Sequence, residues 1–481
     1  MSTIAVLGTF DTKGEEHAYV ADLIRKRGHE VLLVDAGSLD PPSIVPDVSR
    51  EELVAATGTD LAAFVDRRDR GEAVKVMSEG AAIVIAKLAA EKKIHGVVSL
   101  GGGGGTAIGT AAMRALPVGF PKLMVSTLAA SENMPAYVGV KDVVMMPSVV
   151  DVAGLNRVSR PIFANAAGAI CGMVETQVPA SDDKPIIAAS MFGNTTECVN
   201  HAKTILEEAG FEVLVFHATG TGGRAMESLI EAGLVAGVLD LTTTEWADEL
   251  VGGILGAGPT RLEAAARNGV PAVIAPGCLD MVNFGPHDTI PEKFSGRLFY
   301  EHNPQVTLMR TTPEECTNLG RILAEKANLS TGPVAVLLPT KAISVISAPD
   351  QVFSDPAADQ ALFAAIKSNL RKDIELQEIP ASVNDPEFSR IAAETLIAFI
   401  LNKKPHPEQA YRSCIGILSL NKKVGRERLA KACTRALEYG QYNYKTVVNI
   451  LERGLDKIDD QQTDQHQAPE HNNIRGKKYY K

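Results

Sequence analysis

The chain contains a single tryptophan, and aromatic residues make up only 5% of it. No window approaches roughly 18 uninterrupted apolar residues, so no membrane-spanning helix and no membrane partner are expected. The start, MSTIAVLGTFDTKG, has no basic segment leading into a cleavable apolar run, and a cytoplasmic location is expected. Cysteine is sparse and scattered. Cys171, Cys198, Cys278, Cys316, Cys414 and Cys433 include no C-x-x-C pair, which argues against a zinc site or a disulfide frame and for reduced thiols. No metal centre is expected from protein ligands alone. Positive charge is also short: 48 Lys+Arg stand against 58 Asp+Glu, which argues against a nucleic-acid-binding surface over most of the chain.

That average conceals a break. From Asn402 onward there are 16 Lys+Arg against 9 Asp+Glu, a net of +7, so residues 1–401 carry −17. Six of the nine tyrosines fall in this last part. Two compositions in one chain point to two origins.

The body alternates short apolar runs with amphipathic segments. TIAVLGT is followed by DTKGEEHAYVADLIRKRG with helical spacing, and HEVLLVDAG, IHGVVSL and PKLMVST repeat the strand pattern. Buried runs separated by helices specify a parallel sheet covered on both faces. Ligands of such sheets bind beyond the carboxyl ends of the strands. The five glycines Gly101, Gly102, Gly103, Gly104 and Gly105 follow IHGVVSL directly and precede the predicted helix TAIGTAAMRAL. A slack linker has no reason to sit there. Glycine tolerates positive φ and lets backbone N–H groups converge on an anion at a helix N-terminus, with Thr106 placed to cap the helix or touch a phosphate. The plainer alternative is close strand–helix packing. The run is not a Walker loop, because no Lys-Ser/Thr follows it, nor a clean G-x-G-x-x-G fingerprint.

A second loop falls on the same edge. After Gly8, the segment presents Thr9, Asp11, Thr12 and Lys13. Lys13 suits a phosphate and Asp11 a ribose hydroxyl or a magnesium ion. Helix capping by Asp11 or Thr12 is the alternative.

The body is also internally duplicated. RKRGHEVLLVDAG parallels EEAGFEVLVFHATG, and GVVSLGGGGGT parallels GVLDLTTTEWADEL. The fold class expected is therefore α/β, with two Rossmann-like parallel-sheet subdomains, residues 1–180 and 185–400. A small helical tail, residues 402–481, follows with a disordered end. In the second subdomain the equivalent loops carry Asn194, Thr195, Thr196, His217, Thr219, Arg224, Asp240, the run Thr242–Thr244, Glu245, Asp280, Asn283 and His287. Mixed imidazole, carboxylate and hydroxyl groups on one edge suit acid–base chemistry, with His217, Glu245 and Asp280 as the candidate catalytic set.

These stretches also carry a resemblance. GTFDTKGEE, GGGGGT, MRALPVGFPKLMVST, VFHATGTGGRAME, DLTTTEWADELVGG, CLDMVNFG, HNPQVTLMRTT and DPAADQALFAAIKSNL occur in order over nearly all of residues 1–400. In them the chain resembles the Tm-one-like ATP-binding family. Ser382, Ala342 and Ser347 stand where that family usually has His, Gly and Asp. The resemblance implies ATP, with or without Mg2+, bound in the first subdomain by Gly8, Thr9, Asp11, Thr12, Lys13 and Gly101 through Thr106. The last segment, from HPEQAYRSC to HNNIRGKKYY, resembles the carboxyl terminus of IstA-type transposases without their acidic triad. Nucleic acid is therefore not expected as a partner. The expected partners are a nucleotide, a small-molecule substrate or a protein, and a second copy in a homo-oligomer. Two function classes follow: an ATP-binding protein, or an enzyme of hydrolase or lyase type acting on a small organic acid between the subdomains.

Overall fold

The computed structural model describes residues 1–59, 69–179, 183–402, 420–421, 423–438 and 444–457. The contact pattern divides the chain into two units, Met1–Leu396 and Ile397–Lys481.

The first sheet is built from β1 (Thr3–Gly8), β2 (Glu30–Asp35), β3 (Gly96–Gly101), β4 (Lys122–Ser126) and β5 (Val144–Pro147), in the order β2-β1-β3-β4-β5 and all parallel. Its helices are α1 (Phe10–Lys26), α2 (Arg50–Ala56), α3 (Arg70–Ala90), α4 (Gly103–Arg114), α5 (Met134–Val138) and α6 (Ser159–Glu175). Strand alternation separates two cores. Ala5 and Leu7 pack with Met77, Ile85, Ile108 and Met113 of α3 and α4. Ile4 and Val6 pack with Val20, Ile24, Phe163 and Ile170 of α1 and α6. Both faces are covered, which is why these strands read as unbroken apolar runs.

The second sheet has the same plan. It contains β6 (Ile186–Met191), β7 (Glu212–His217), β8 (Val235–Thr242) and β9 (Ala272–Gly277), served by α7 (Thr196–Glu208), α8 (Thr221–Glu231), α9 (Glu245–Val251) and α10 (Glu263–Arg267). Then comes an antiparallel sheet of β10 (Met281–Phe284), β11 (Phe299–Asn303) and β12 (Val306–Arg310), which the sequence reading did not anticipate. The chain returns to the main sheet as β13 (Val334–Pro339) and β14 (Glu375–Ile379), with α11 (Pro313–Asn328), α12 (Pro356–Asn369) and α13 (Pro386–Asn402). Read from β7, the order is β7-β6-β8-β9-β13-β14, which repeats β2-β1-β3-β4-β5 and adds one strand. The α/β class and the duplicated, Rossmann-like plan are thus present in the fold.

In the carboxyl-terminal unit, α14 (Arg426–Glu438) and α15 (Tyr444–Glu452) bury Leu429, Ala432, Ala436, Val447 and Ile450 in a small core. The Arg428 guanidinium lies 2.8 Å from the Asp456 carboxylate. Gly440 and Cys414 lie outside the described residues. Cys171, Cys198, Cys278 and Cys316 are buried thiols. Among the described residues no helix is long and apolar enough to cross a membrane.

Candidate functional site

In the first sheet the chain runs from β1 to β2 on one side and then crosses to β3 on the other. The crevice between the carboxyl ends of β1 and β3 is therefore the topological switch point, where ligands of open α/β sheets bind. The structure brings the two sequence-predicted loops together there. A cavity of about 290 Å³ is lined by Thr9, Asp11, Thr12, Lys13 and Gly102–Gly105, joined by Ser38, Leu39, Arg70, Val74, Ile108 and Asp151.

Each group has a defined local cause. The α4 helix starts at Gly103, earlier than the Thr106 start expected from sequence, so three glycines form its first turn. The N–H groups of a first helical turn have no intrahelical partner, and here they belong to residues that line the cavity. Thr106 does not reach the cavity. It is fully buried, its hydroxyl 2.6 Å from that of Ser126, and it ties α4 to β4.

The two readings of the glycine run separate along its length. A Cβ on Gly101 would come within 2.8 Å of the Gly105 Cα, so packing accounts for that glycine. At Gly102 and Gly103 a Cβ would meet nothing nearer than 3.7 and 3.9 Å, and neither residue has positive φ. Neither packing nor backbone conformation requires glycine at those two positions. Gly8 is a packing glycine too: its Cβ would fall 2.0 Å from the His17 Nε2. His17 is fully buried and donates through Nδ1 to the Lys13 carbonyl at 2.6 Å, and burial lowers its pKa to about 4.

Asp11 is not a cap. Its Oδ2 accepts from the N–H groups of Ser38 and Leu39 at 3.1 and 3.0 Å, while its Oδ1 is buried without a partner. The end of α1 is held instead by Asp35, whose Oδ1 accepts from the N–H groups of Phe10 and Gly37 at 3.0 and 2.8 Å. Burial pushes the Asp35 carboxyl up, and the nearby Asp11 charge adds to this. Thr9 and Thr12 face each other, hydroxyl to hydroxyl, at 3.1 Å. Lys13 donates its ammonium to the Val152 carbonyl, and Glu16 accepts from the Gly154 N–H. One side of α1 thus pins the loop that carries Asp151.

The candidate catalytic set of the second subdomain is not brought to one surface. His217 is exposed at the end of the edge strand β7. Glu245 is fully enclosed: Oε1 accepts from the Gly220 and Gly223 N–H groups at 2.7 and 3.0 Å, and Oε2 from Arg261 Nε at 2.6 Å. Asp280 is buried as well, its Oδ2 accepting from the Ser344 hydroxyl at 2.7 Å. Ser347, where the resembled family has Asp, holds that turn through the Ile343 and Ser344 N–H groups at 3.1 Å. The threonine run is internal, with Thr243 donating to the Ala275 carbonyl at 3.1 Å. At the second switch point, between β6 and β8, the Thr195 and Thr242 hydroxyls meet at 2.7 Å. Glu245 and Asp280 are thus buried within the second subdomain, while His217 is exposed.

Asp280 gives a pH prediction. Burial pushes its carboxyl up to about 6 from 3.8, against the opposing Arg310 charge. The folded state binds this proton more tightly than the unfolded chain, so the stability it contributes is present below the unfolded value. That stability is lost as pH rises through about 6, a cost of about 3 kcal/mol by pH 7. Asp280→Asn does not titrate. Urea midpoints of the variant and the wild type are expected to diverge in the variant's favour between pH 4 and pH 7. Parallel profiles would refute this.

Sequence reading missed Asp35 and Ser38, at and just after the end of β2, Arg70, the first residue of α3, and Asp151, in the loop after β5. It also missed Arg261, which sits among Asp240, Glu245 and Glu227 with 1% of its side chain exposed.

Fold and cavity define an α/β protein of two Rossmann-like subdomains with a glycine-lined crevice in the first. The chain belongs to UPF0261, an uncharacterised protein family, whose N-terminal domain matches residues 2–179 and whose C-terminal domain matches residues 184–400. A UPF0261 protein of Clostridium tetani is 49% identical over 396 residues, covering 82% of this chain and 98% of that protein. Two tomato (Solanum lycopersicum) proteins match as well. The ToMV susceptible protein tm-1(GCR26) is 36% identical and covers 81% of this chain and 55% of its own length. The ToMV resistance protein Tm-1(GCR237) is 41% identical and covers 70% of this chain and 46% of its own length. This chain therefore spans about half of the tomato proteins, and the family matches end at residue 400.

Proposed function

We propose that the protein binds ATP, with Mg2+ accompanying the phosphates, in the crevice between Thr9–Lys13 and Gly102–Gly105. The observation that carries this reading is the pair Gly102 and Gly103. They line the cavity at a helix N-terminus, yet neither packing nor positive φ demands glycine there. A backbone stripped of side chains at that point lets a large anion approach the amides and the positive end of the helix dipole. The unpartnered Asp11 Oδ1 supplies an acceptor for a ribose hydroxyl or a ligand for the accompanying Mg2+. Membership alongside the tomato proteins supports the same reading through the Tm-one-like resemblance. When bound, the nucleotide would supply the negative charge that balances the exposed amides. We read the protein as a cytoplasmic homo-oligomer whose tail, outside both family matches, is a transposase-derived remnant.

The test is calorimetric titration of the full chain with ATP in the presence of magnesium. Micromolar affinity is expected, with a melting temperature that rises with ATP concentration by mass action. Absence of heat and of any melting shift would require the reading to be withdrawn.

A further inference from the structure

The cavity contains two cations, Lys13 and Arg70, and two carboxylates, Asp11 and Asp151. The cations differ in their commitments. The Lys13 ammonium is engaged by the Val152 carbonyl, on the same side of α1 where Glu16 holds Gly154. Arg70 is exposed, and its guanidinium has no acceptor among the described residues. Its neighbour Asp69 is occupied as the cap of α3, its Oδ1 accepting from the Gly71 and Glu72 N–H groups at 2.9 and 3.0 Å. Two other arginines of this subdomain are anchored, Arg50 to the Asp40 carbonyl at 2.6 Å and Arg114 to the Tyr137 carbonyl.

Arg70 is directed at the cavity by helix geometry. Val74 lies one turn further along α3, lines the same cavity, and stands 3.4 Å from where a Gly104 Cβ would be. Residues four apart share a helix face, so Arg70 and Val74 both border the first turn of α4. A guanidinium presents a planar fork of donors that matches phosphate oxygens bidentately, and an uncommitted one gives up no internal bond when it binds.

We infer that Arg70 is the residue that neutralises the phosphate chain in this cavity. Lys13 is a positioning residue, which holds the Val152–Gly154 loop against α1. This inference rests on the nucleotide reading above. It assigns the recognised chemistry to the polyphosphate, reached from α3 as well as from the two glycine and threonine loops.

The experiment compares wild type, Arg70→Met, Arg70→Lys and Lys13→Met by calorimetry with two probes, MgATP and inorganic tripolyphosphate, and by thermal melting of the free proteins. Arg70→Met is expected to weaken both probes by at least about tenfold with an unchanged melting temperature, and to flatten the dependence of affinity on salt. Arg70→Lys should recover part of the loss, because charge is restored without the fork. Lys13→Met should lower the melting temperature, because the loop loses its anchor. Arg70→Met with wild-type affinity for both probes would overturn the assignment while leaving the nucleotide reading intact. A wild type that binds neither probe would overturn both.

Discussion

Gly103→Val is expected to leave the protein folded and to lower its affinity for ATP by at least about a hundredfold, since valine blocks the amides that the phosphates need. The nearest heavy atom to a Cβ at this position is the Leu128 Cδ1 at 3.9 Å, so a side chain starts there without a close contact. Its backbone has negative φ, which valine adopts without strain, and valine has a higher helix propensity than glycine. The substitution therefore acts on the void and not on the scaffold. Gly101→Val is the control with the opposite signature. Its Cβ would lie 2.8 Å from the Gly105 Cα and 3.2 Å from the Thr106 nitrogen, and unfolding is expected instead of selective loss of binding. Calorimetry and thermal melting of the two variants separate the cases. Wild-type affinity in a folded Gly103→Val protein would show that the glycine run serves packing alone.

Arg261→Met is expected to destabilise the second subdomain by about 3–5 kcal/mol, the range for removing one partner of a buried ion pair. The Arg261 guanidinium is bidentate to Asp240, at 2.5 and 2.7 Å, and reaches Glu245 at 2.6 Å and Glu227 at 3.2 Å. All four residues are buried. Burial pushes the Glu227 carboxyl up, with Arg261 opposing. Glu227 in turn accepts from the Leu262 and Ala264 N–H groups, both at 2.8 Å, and so fixes the start of α10. Without the arginine, carboxylates from β8, α8 and α9 face one another with no cation, and each prefers its protonated form. The variant's carboxyl groups then hold protons more tightly when folded than when unfolded, so its deficit should narrow as pH falls from 7 toward 5. Trp246, the one tryptophan of the chain, is 7% exposed beside Glu245, and its fluorescence reports the transition directly. A midpoint within error of wild type at pH 7 would show that the cluster carries no net load.

The strands were legible because β1, β3, β4, β6 and β9 lie inside sheets covered on both faces, and a doubly buried strand must be apolar at nearly every position. The parallels between RKRGHEVLLVDAG and EEAGFEVLVFHATG, and between GVVSLGGGGGT and GVLDLTTTEWADEL, carried the duplicated plan, while the strand order emerged only from the fold. The antiparallel β10–β12 sheet was not legible, since its strands of four or five residues carry too few positions for a period-two pattern to register.

The site was half legible for a related reason. Thr9, Asp11, Thr12, Lys13 and Gly102–Gly105 each follow a strand directly, so the sheet alone places them on the functional edge. Arg70 and Asp151 are ordinary charged residues in sequence and become cavity walls only through the packing of α3 and of the loop held by Lys13. The set His217, Glu245 and Asp280 shows the converse. All three also lie at or just after the carboxyl ends of strands, and the same rule selected them. Yet Glu245 turns inward to two backbone N–H groups and Arg261, and Asp280 to Ser344, while His217 stays in solvent.

The sequence by itself determined two parallel sheets of common plan and the edge on which loops gather, because the burial of a strand and the spacing of a helix are written in neighbouring residues. Tertiary structure alone decided which of five adjacent glycines faces a void, which lysine is a strut, and which carboxylates are locked beneath a guanidinium. Those outcomes depend on charge, space and hydrogen-bond partners delivered by segments far apart in the chain, and no local pattern records them.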